Sequence, residues 1–494
     1  MTPNHPLPRI LSSIALALSM AASPVDAESA ASTRPALPDT PAARLMSDWM
    51  TLCDQPDRAR MTSWFDAQLS SGGRGRMTPA ARAADMFELC SENGGLDTVA
   101  VAKSDPLSIT LTTRGRKSGA WFEIILMANE AGEFDRGGMM PTVPVESALP
   151  ARIDDAVIAR ELEQSVARLS SSGLFSGIVV VARGERIIAQ ASGGYANRAE
   201  KTPFDTSSGF TLGSLGKMFT AVAIGQLVDQ SRLAPSDTVG KFFPEYPNKT
   251  VRDQVTVSML LAHTSGLGDF LDKRTPSMMK DGVQRAAEFL PLFDKDEPQF
   301  APGSARAYSN AGLALAGAIV EKVSGESYPD YLRKHVFAPA GMTRSSPNNV
   351  PHAGAGLVTP YTREGSPDWK IAEADIGSPA GGAISTAGDL VRFAEALRSG
   401  SLVSKSWFKQ MTTAQGPVQD GRGYGYATEI VDFYGQTVVG HNGGFPGVST
   451  HLHLVLGSPY TVVVLSNQDP PVDMYAGIPI VALVAERVKR DARP

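Results

Sequence analysis

Cysteine is nearly absent from this chain: Cys53 and Cys90 are the two in 494 residues. A densely stapled scaffold and a zinc cluster built on paired thiols are thereby excluded. Two readings of the pair stay open, one disulfide in an oxidising compartment or two buried thiols, because spacing alone does not fix their separation. Excess positive charge is missing as well. With Lys+Arg 46 against Asp+Glu 51 and a formal net charge of −5, no basic field exists to hold a phosphate backbone, and nucleic acid is excluded as a partner. Membrane-length apolar runs are also lacking. The run Ile10 to Ala22 is too short to span a bilayer. Preceded by Arg9 and followed by Val25-Asp26-Ala27, it reads as an export signal cut after Ala27. Residues 1–27 are thus expected to be removed, leaving a periplasmic or secreted protein with no integral membrane segment. No Cys follows the run to take a lipid.

What is present is a globular composition, 42% hydrophobic and 20% charged, on a chain long enough for two domains. Residues 28–40, small, polar and Pro-bearing, read as a flexible tail. From Ala42 to about Cys90 apolar residues recur at helical spacing, with Thr78 as a cap and Pro79 as a first helical residue. After Gly94-Gly95 the period becomes two, and Val99 to Ala102, Leu107 to Thr112 and Trp121 to Met127 read as strands. Residues 41–140 are therefore expected to be a small α+β domain. A proline-stiffened linker, 141–152, separates it from 153–494. The second domain opens with a helix from Asp154 to Leu169 and the strands Gly177 to Ala182 and Arg186 to Ser192. It closes with strands Ser449 to Leu456 and Tyr460 to Leu465 and a helix from about Met474. That order predicts an α+β fold: one antiparallel sheet assembled from both ends of the domain, helices on its faces and a helical insertion between.

Three short stretches carry chemistry. Leu212-Gly213-Ser214-Leu215-Gly216-Lys217 opens a segment, Met218 to Val228, whose apolar residues surround the helix instead of forming a stripe, so that the helix is buried. Ser214 and Lys217, three apart, share a face. A buried lysine loses solvation, its ammonium form is disfavoured, and the neutral amine can take the serine proton. Ser-x-x-Lys alone recurs by chance, and an N-cap serine beside a surface lysine is the ordinary explanation. A lysine at the foot of an apolar helix is not ordinary. Further on, Tyr308-Ser309-Asn310 precedes the apolar helix Ala311 to Val323: Tyr308 offers a second base or an acid, and Asn310 can orient Lys217. Last comes Gly440-His441-Asn442-Gly443-Gly444-Phe445-Pro446-Gly447, set just before the strand Ser449 to Leu456. Its dense glycine permits close backbone approach to a substrate.

Other chemistries lack their residues. The Gly-x-Ser-x-Gly elbow of the α/β-hydrolases fails because Leu212, not glycine, lies two before Ser214. His451 and His453 share a strand face, but no third metal ligand is evident. No cofactor and no metal are expected.

Together and in this order, the three stretches resemble the serine β-lactamase and penicillin-binding-protein superfamily, in its class C-like branch of esterases, D-stereospecific peptidases and β-lactamases. Ser214 and Lys217 match its SxxK, Tyr308-Ser309-Asn310 its YxN, and His441-Asn442-Gly443 the HxG version of its KTG triad. Leu260 to Leu267 looks like its LLTHTSGL loop and Gly381 to Leu390 like its GGxxST-x-x-DL segment. The likeness runs from about residue 155 to the C-terminus. It implies a β-lactamase-like transpeptidase fold and an acyl-enzyme on Ser214, with Lys217 and Tyr308 sharing base duty and Asn310 holding the site together. It also implies an oxyanion hole from the N–H groups of Ser214 and Gly444 beside Gly443, and Tyr424 lining the acyl pocket. Where this family often has a cationic lysine, His441 is largely neutral at pH 7, which shifts the expectation from β-lactams toward small esters, amides or D-peptides. The alternatives are a penicillin or peptidoglycan-peptide sensor without turnover, and a weak β-lactamase. The first domain resembles the nuclear-transport-factor-like cone domains fused ahead of such hydrolases, an accessory module.

Overall fold

The computed structural model describes residues 35–492 apart from 276–277, 279–283, 348–355, 364–367, 369, 373–376, 417 and 419–421. The export signal and residues 28–34 of the tail lie outside the described residues. Four helices come first: α1 (Pro41–Asp54), α2 (Arg58–Gln68), α3 (Ser71–Arg76) and α4 (Pro79–Asn93). Each starts at a side chain that accepts a first-turn N–H, namely Thr40, Asp57, Ser70 and Thr78. An antiparallel meander follows in sequence order: β1 (Leu96–Asp105), β2 (Ser108–Gly115), β3 (Trp121–Ala128) and β4 (Phe134–Pro141). The first three were legible in the sequence. The fourth was not, because the glycines Gly137-Gly138 interrupt any period-two pattern. The two cysteines are disulfide-bonded, tying α1 to α4 across 37 positions of sequence. Closing a loop of that length stabilises by roughly 3–4 kcal/mol in the chain-entropy account. The double variant Cys53→Ser/Cys90→Ser is expected to lose about that much in guanidinium unfolding, and wild type with reductant should match it.

The second unit is built around a seven-stranded sheet whose strands come from both ends of the chain. After α5 (Asp155–Ser171) run β5 (Gly177–Arg183) and β6 (Arg186–Gly193). The short β7 (Ser208–Thr211) leads to the nucleophile segment and to the buried helices α6 (Lys217–Asp229) and α7 (Asn310–Ser324). The chain then returns through β8 (Arg422–Tyr424), β9 (Glu429–Phe433), β10 (Gln436–Phe445), β11 (Val448–Val455) and β12 (Tyr460–Ser466) to the last helix, α8 (Val472–Asp491). The order across the sheet is β8-β9-β10-β11-β12-β5-β6, antiparallel throughout, with Tyr460 to Ser466 closing on Arg183 to Gly177.

Strand pleating sorts the side chains into two cores. Ile178, Val180 and Ala182 face the helices α6 and α7, while Val179 and Val181 face α8 and the N-terminal unit. The N-terminal unit shares that second core. Phe122 meets Tyr475 of α8 edge to face at 5.5 Å, and Glu146 accepts from Lys489 Nζ at 2.7 Å. Glu92, at the end of α4, pairs with Arg363, whose own amide donates to Asp469 at 2.7 Å. Asp469 in turn accepts from Gly447 N, in the turn that ends β10, at 2.8 Å. Among the described residues no helix is long and apolar enough to cross a membrane.

Candidate active site

The serine does not sit in the α-helix itself. Ser214 lies on a single 3₁₀ turn, Gly213–Gly216, that feeds α6, and Lys217 is the first residue of that helix. Crowding explains the glycines around it. A Cβ on Gly213, whose φ is +54°, would stand 3.0 Å from Gly444 N, so β10 runs directly against the nucleophile turn. On its other side Leu212 N donates to Ala383 O and Gly382 N to Gly213 O, both at 3.0 Å, fixing the Gly381 to Leu390 stretch alongside.

Lys217 is fully buried. Its Nζ lies 3.0 Å from Ser214 Oγ and 2.7 Å from Asn310 Oδ1, and it also donates to the Ala380 carbonyl. The amide of Asn310 is oriented by its far end, since Nδ2 donates to Asp269 Oδ2 at 2.7 Å, which turns Oδ1 toward the lysine. Asn310 is free for this role because Ser309, and not Asn310, caps α7, accepting from Gly312 N at 2.9 Å. The consequence is chemical. Asn310 Oδ1 and Ala380 O can only accept, so in the neutral amine they take its two N–H bonds and leave the lone pair facing the Ser214 hydroxyl.

Tyr308 stands 50% exposed, with Lys217 Nζ 4.7 Å from its ring centre and Ser214 a neighbour of its hydroxyl. Surrounding protein mass pushes this phenol above its ordinary range, and the serine contact draws it back. Water at the open face tempers the first effect. The group is therefore a proton donor at neutral pH.

His441 was expected in a loop before a strand and instead lies inside β10, fully buried. Gly440 to Phe445 pair residue by residue with His453 to Val448, so the glycine-rich stretch is itself a strand. Glycines at 440, 443 and 444 had masked the alternation. Burial first, and the Lys217 charge second, lower the His441 pKa to about 3, with the Asn442 carbonyl partly opposing. The unfolded value is near 6.5, so between about pH 6.5 and 3 the unfolded chain binds a proton that the folded chain refuses. This contribution to stability is complete above 6.5 and is lost as pH falls. Calorimetry on His441→Gln is expected to show a flatter fall of stability on acidification than wild type, by up to about 1.4 kcal/mol per pH unit.

Tyr424 is not at an open pocket wall. It is buried, its hydroxyl 3.0 Å from His263 Nε2 and 2.9 Å from His441 Nε2. Tyr426 packs against Trp407 at 5.0 Å, in the core. His451 and His453 stack at 3.6 Å on the opposite sheet face, near Asp473, and the described residues contain no group able to hold a metal. Three participants were not singled out in the sequence: His263, Asp269 and the Ala380 carbonyl. The signal for His263 was an imidazole within the apolar Leu260 to Leu267 stretch, and a backbone carbonyl gives none.

An antiparallel sheet with a helical insertion, carrying a buried Ser-x-x-Lys and Tyr-Ser-Asn against a glycine-rich strand, defines the serine β-lactamase and penicillin-binding superfamily. The chain belongs to the Beta-lactamase family, whose profile matches residues 158–486. It is 31% identical over 331 residues to penicillin-binding protein 4* of Bacillus subtilis (strain 168), across 63% of this chain and 72% of that one. To the esterase EstB of Burkholderia gladioli it is 31% identical over 213 residues, across 40% of this chain and 51% of that one. The crystal structure of a penicillin binding protein from Bacillus halodurans matches with a TM-score of 0.55 at 30% identity, covering 66% of this chain and 98% of that one.

Proposed function

We propose that this protein is an exported serine hydrolase that cleaves small esters, or the amide bonds of D-amino-acid peptides, through an acyl-enzyme on Ser214. The observation that carries the reading is the 3.0 Å contact between Lys217 Nζ and Ser214 Oγ, with Asn310 and Ala380 occupying the amine's N–H bonds. Ser214 Oγ attacks the carbonyl carbon as its proton passes to Lys217. The oxyanion forms against the N–H groups of Ser214 and Gly444. On collapse the leaving group departs with a proton from Tyr308, and water then attacks the acyl carbon by the reverse route, returning Ser214 and its proton. A neutral His441 offers no cation for a substrate carboxylate, which favours esters over β-lactams.

The test is incubation with p-nitrophenyl acetate and a fluorophosphonate probe, with nitrocefin and D-Ala peptides in parallel. Wild type is expected to be labelled and to turn over the ester. An unlabelled wild type, or equal labelling of Ser214→Ala, sinks the reading. Penicillin-binding protein 4* as a relative favours a second one, acylation without turnover, for which a stoichiometric burst with no steady state is the signature.

For residues 41–141 the helices followed by an antiparallel meander support the cone-type resemblance, and the Glu92–Arg363 pair supports a role in buttressing the rim of the site. Glu92→Lys is expected to alter KM for bulky esters more than for p-nitrophenyl acetate, in steady-state assays. An equal effect on both would refute that role.

A further inference from the structure

His263 holds Tyr308 from both sides. Its carbonyl accepts from Ala307 N at 3.0 Å and its Nδ1 from Ser309 N at 3.2 Å, the two amides flanking the tyrosine, and its ring lies 4.4 Å from the Tyr308 ring. To do so the residue adopts a left-handed backbone, φ +60°, a conformation that costs a side-chain-bearing residue about 1–3 kcal/mol and persists where the surroundings enforce it.

The proton positions along the chain of contacts that starts here are dictated at both ends. Ser309 N–H can only donate, so His263 Nδ1 is the bare nitrogen and Nε2 carries the hydrogen, donating to Tyr424 Oη at 3.0 Å. At the far end the Asn442 carbonyl can only accept, so His441 Nδ1 carries the hydrogen, at 2.5 Å, and its Nε2 is bare. The Tyr424 hydroxyl is left one direction in which to point, toward His441 Nε2 at 2.9 Å. Every link then runs the same way, from the Ser309 amide to the Asn442 carbonyl. Because neither end can reverse, the array cannot carry a proton through. It also engages both ring nitrogens of His441.

We propose that His263, Tyr424 and His441 form a one-way hydrogen-bond strut that sets the spacing between Tyr308 and the Gly443–Gly444 strand, with His441 a positioning residue that does not touch the substrate. The proposal rests on the reading of Ser214 as nucleophile for its catalytic consequence, but not for its structural content. The titratable groups beside the strut are Lys217, Arg306 and Tyr308, with Glu429 and His451 acting from the other face of the sheet, and burial keeps both of its imidazoles neutral. Tyr308 and Gly444 lie on elements far apart in sequence, and the strut ties them through side chains instead of through a shared ladder.

The experiment is 15N NMR on protein labelled at histidine nitrogens, with assignments from single His→Gln variants, at neutral pH and before and after fluorophosphonate modification. His263 is expected as the Nε2–H tautomer and His441 as the Nδ1–H tautomer, and His441 should keep that tautomer in the modified protein. The opposite tautomer, an imidazolium at His441, or a change of its tautomer on modification would overturn the proposal. Tyr424→Phe supplies the kinetic arm. It removes both strut links and keeps the ring, so kcat for p-nitrophenyl acetate should fall by about 10- to 100-fold with KM little changed, as expected of a misplacement near 1 Å. Unchanged kcat, or a loss confined to KM, would overturn the proposal. Labelling of Ser214 in that variant separates the two ideas: a labelled variant with unchanged kcat keeps the nucleophile while failing the strut, whereas an unlabelled wild type fails the nucleophile and leaves the tautomer result standing.

Discussion

Lys217→Met is expected to remove the reactivity of Ser214 while keeping the side-chain length. Fluorophosphonate labelling should slow by roughly 10³- to 10⁴-fold, within the range that a positioned base supplies. Ser214→Ala should lose labelling altogether, with ester turnover down by roughly 10⁴-fold or more. Tyr308→Phe separates the two proton-handling groups. Its phenol is held in the protonated form, so it serves as the acid, and p-nitrophenolate is a leaving group that needs no proton. The Tyr308→Phe variant should therefore label, and release its first equivalent of p-nitrophenolate, within about tenfold of wild type, yet lose roughly 10²-fold or more on a D-amino-acid amide. If Tyr308→Phe silences labelling while Lys217→Met retains it, the first base is Tyr308 and the lone-pair argument at Lys217 fails. Lys217→Met also strips a donor from Asn310 Oδ1 and Ala380 O, two interior acceptors. A stability loss of about 1–3 kcal/mol for each acceptor left unpaired should accompany the loss of activity.

The sheet's two terminal pieces were readable because Gly177 to Ala182 and Tyr460 to Leu465 are continuous apolar runs, as expected of strands covered on both faces. The strands between residues 422 and 445 were not readable, because glycine has no side chain to show which face it occupies, and β8 and β9 are three and five residues long. The nucleophile and its lysine were found by burial: a helix apolar all round has no solvated face on which to leave an ammonium. Asn310 was found through its place in Tyr-Ser-Asn, but the Asp269 carboxylate that turns its amide is 41 residues upstream in a loop, and nothing in local pattern links the two. The Gly381 to Leu390 stretch was recognised by resemblance without a physical reason. The reason is backbone: the residue just before it, Ala380, gives its carbonyl to Lys217, and the stretch pairs Ile384 and Ser385 with Thr211 and Phe210, just before the nucleophile turn. The pairing of Cys53 with Cys90 required the packing of α1 on α4, which no spacing rule contains.

Gly443→Ala is the substitution expected to do most with one carbon atom. A Cβ at this position would lie 1.8 Å from Leu212 O and 2.4 Å from Thr450 Oγ1. The threonine can rotate, but its hydroxyl already donates to the same Leu212 carbonyl at 2.8 Å, and that carbonyl belongs to the residue leading into the nucleophile turn. Either β10 must move outward or the turn must move inward, and both separate Gly444 N from the place where the oxyanion develops. Overpacking of this kind costs about 1–3 kcal/mol in stability. The loss of geometry costs more, because a displacement near 1 Å is worth roughly 10²-fold in rate. Gly443→Ala should therefore fold, melt lower and label with fluorophosphonate at least ~100-fold more slowly. Gly75→Ala, a helical position with open space around it, should match wild type in labelling. A Gly443→Ala protein that labels at the wild-type rate would mean that β10 takes no part in holding the oxyanion, and the third motif would then be structural alone.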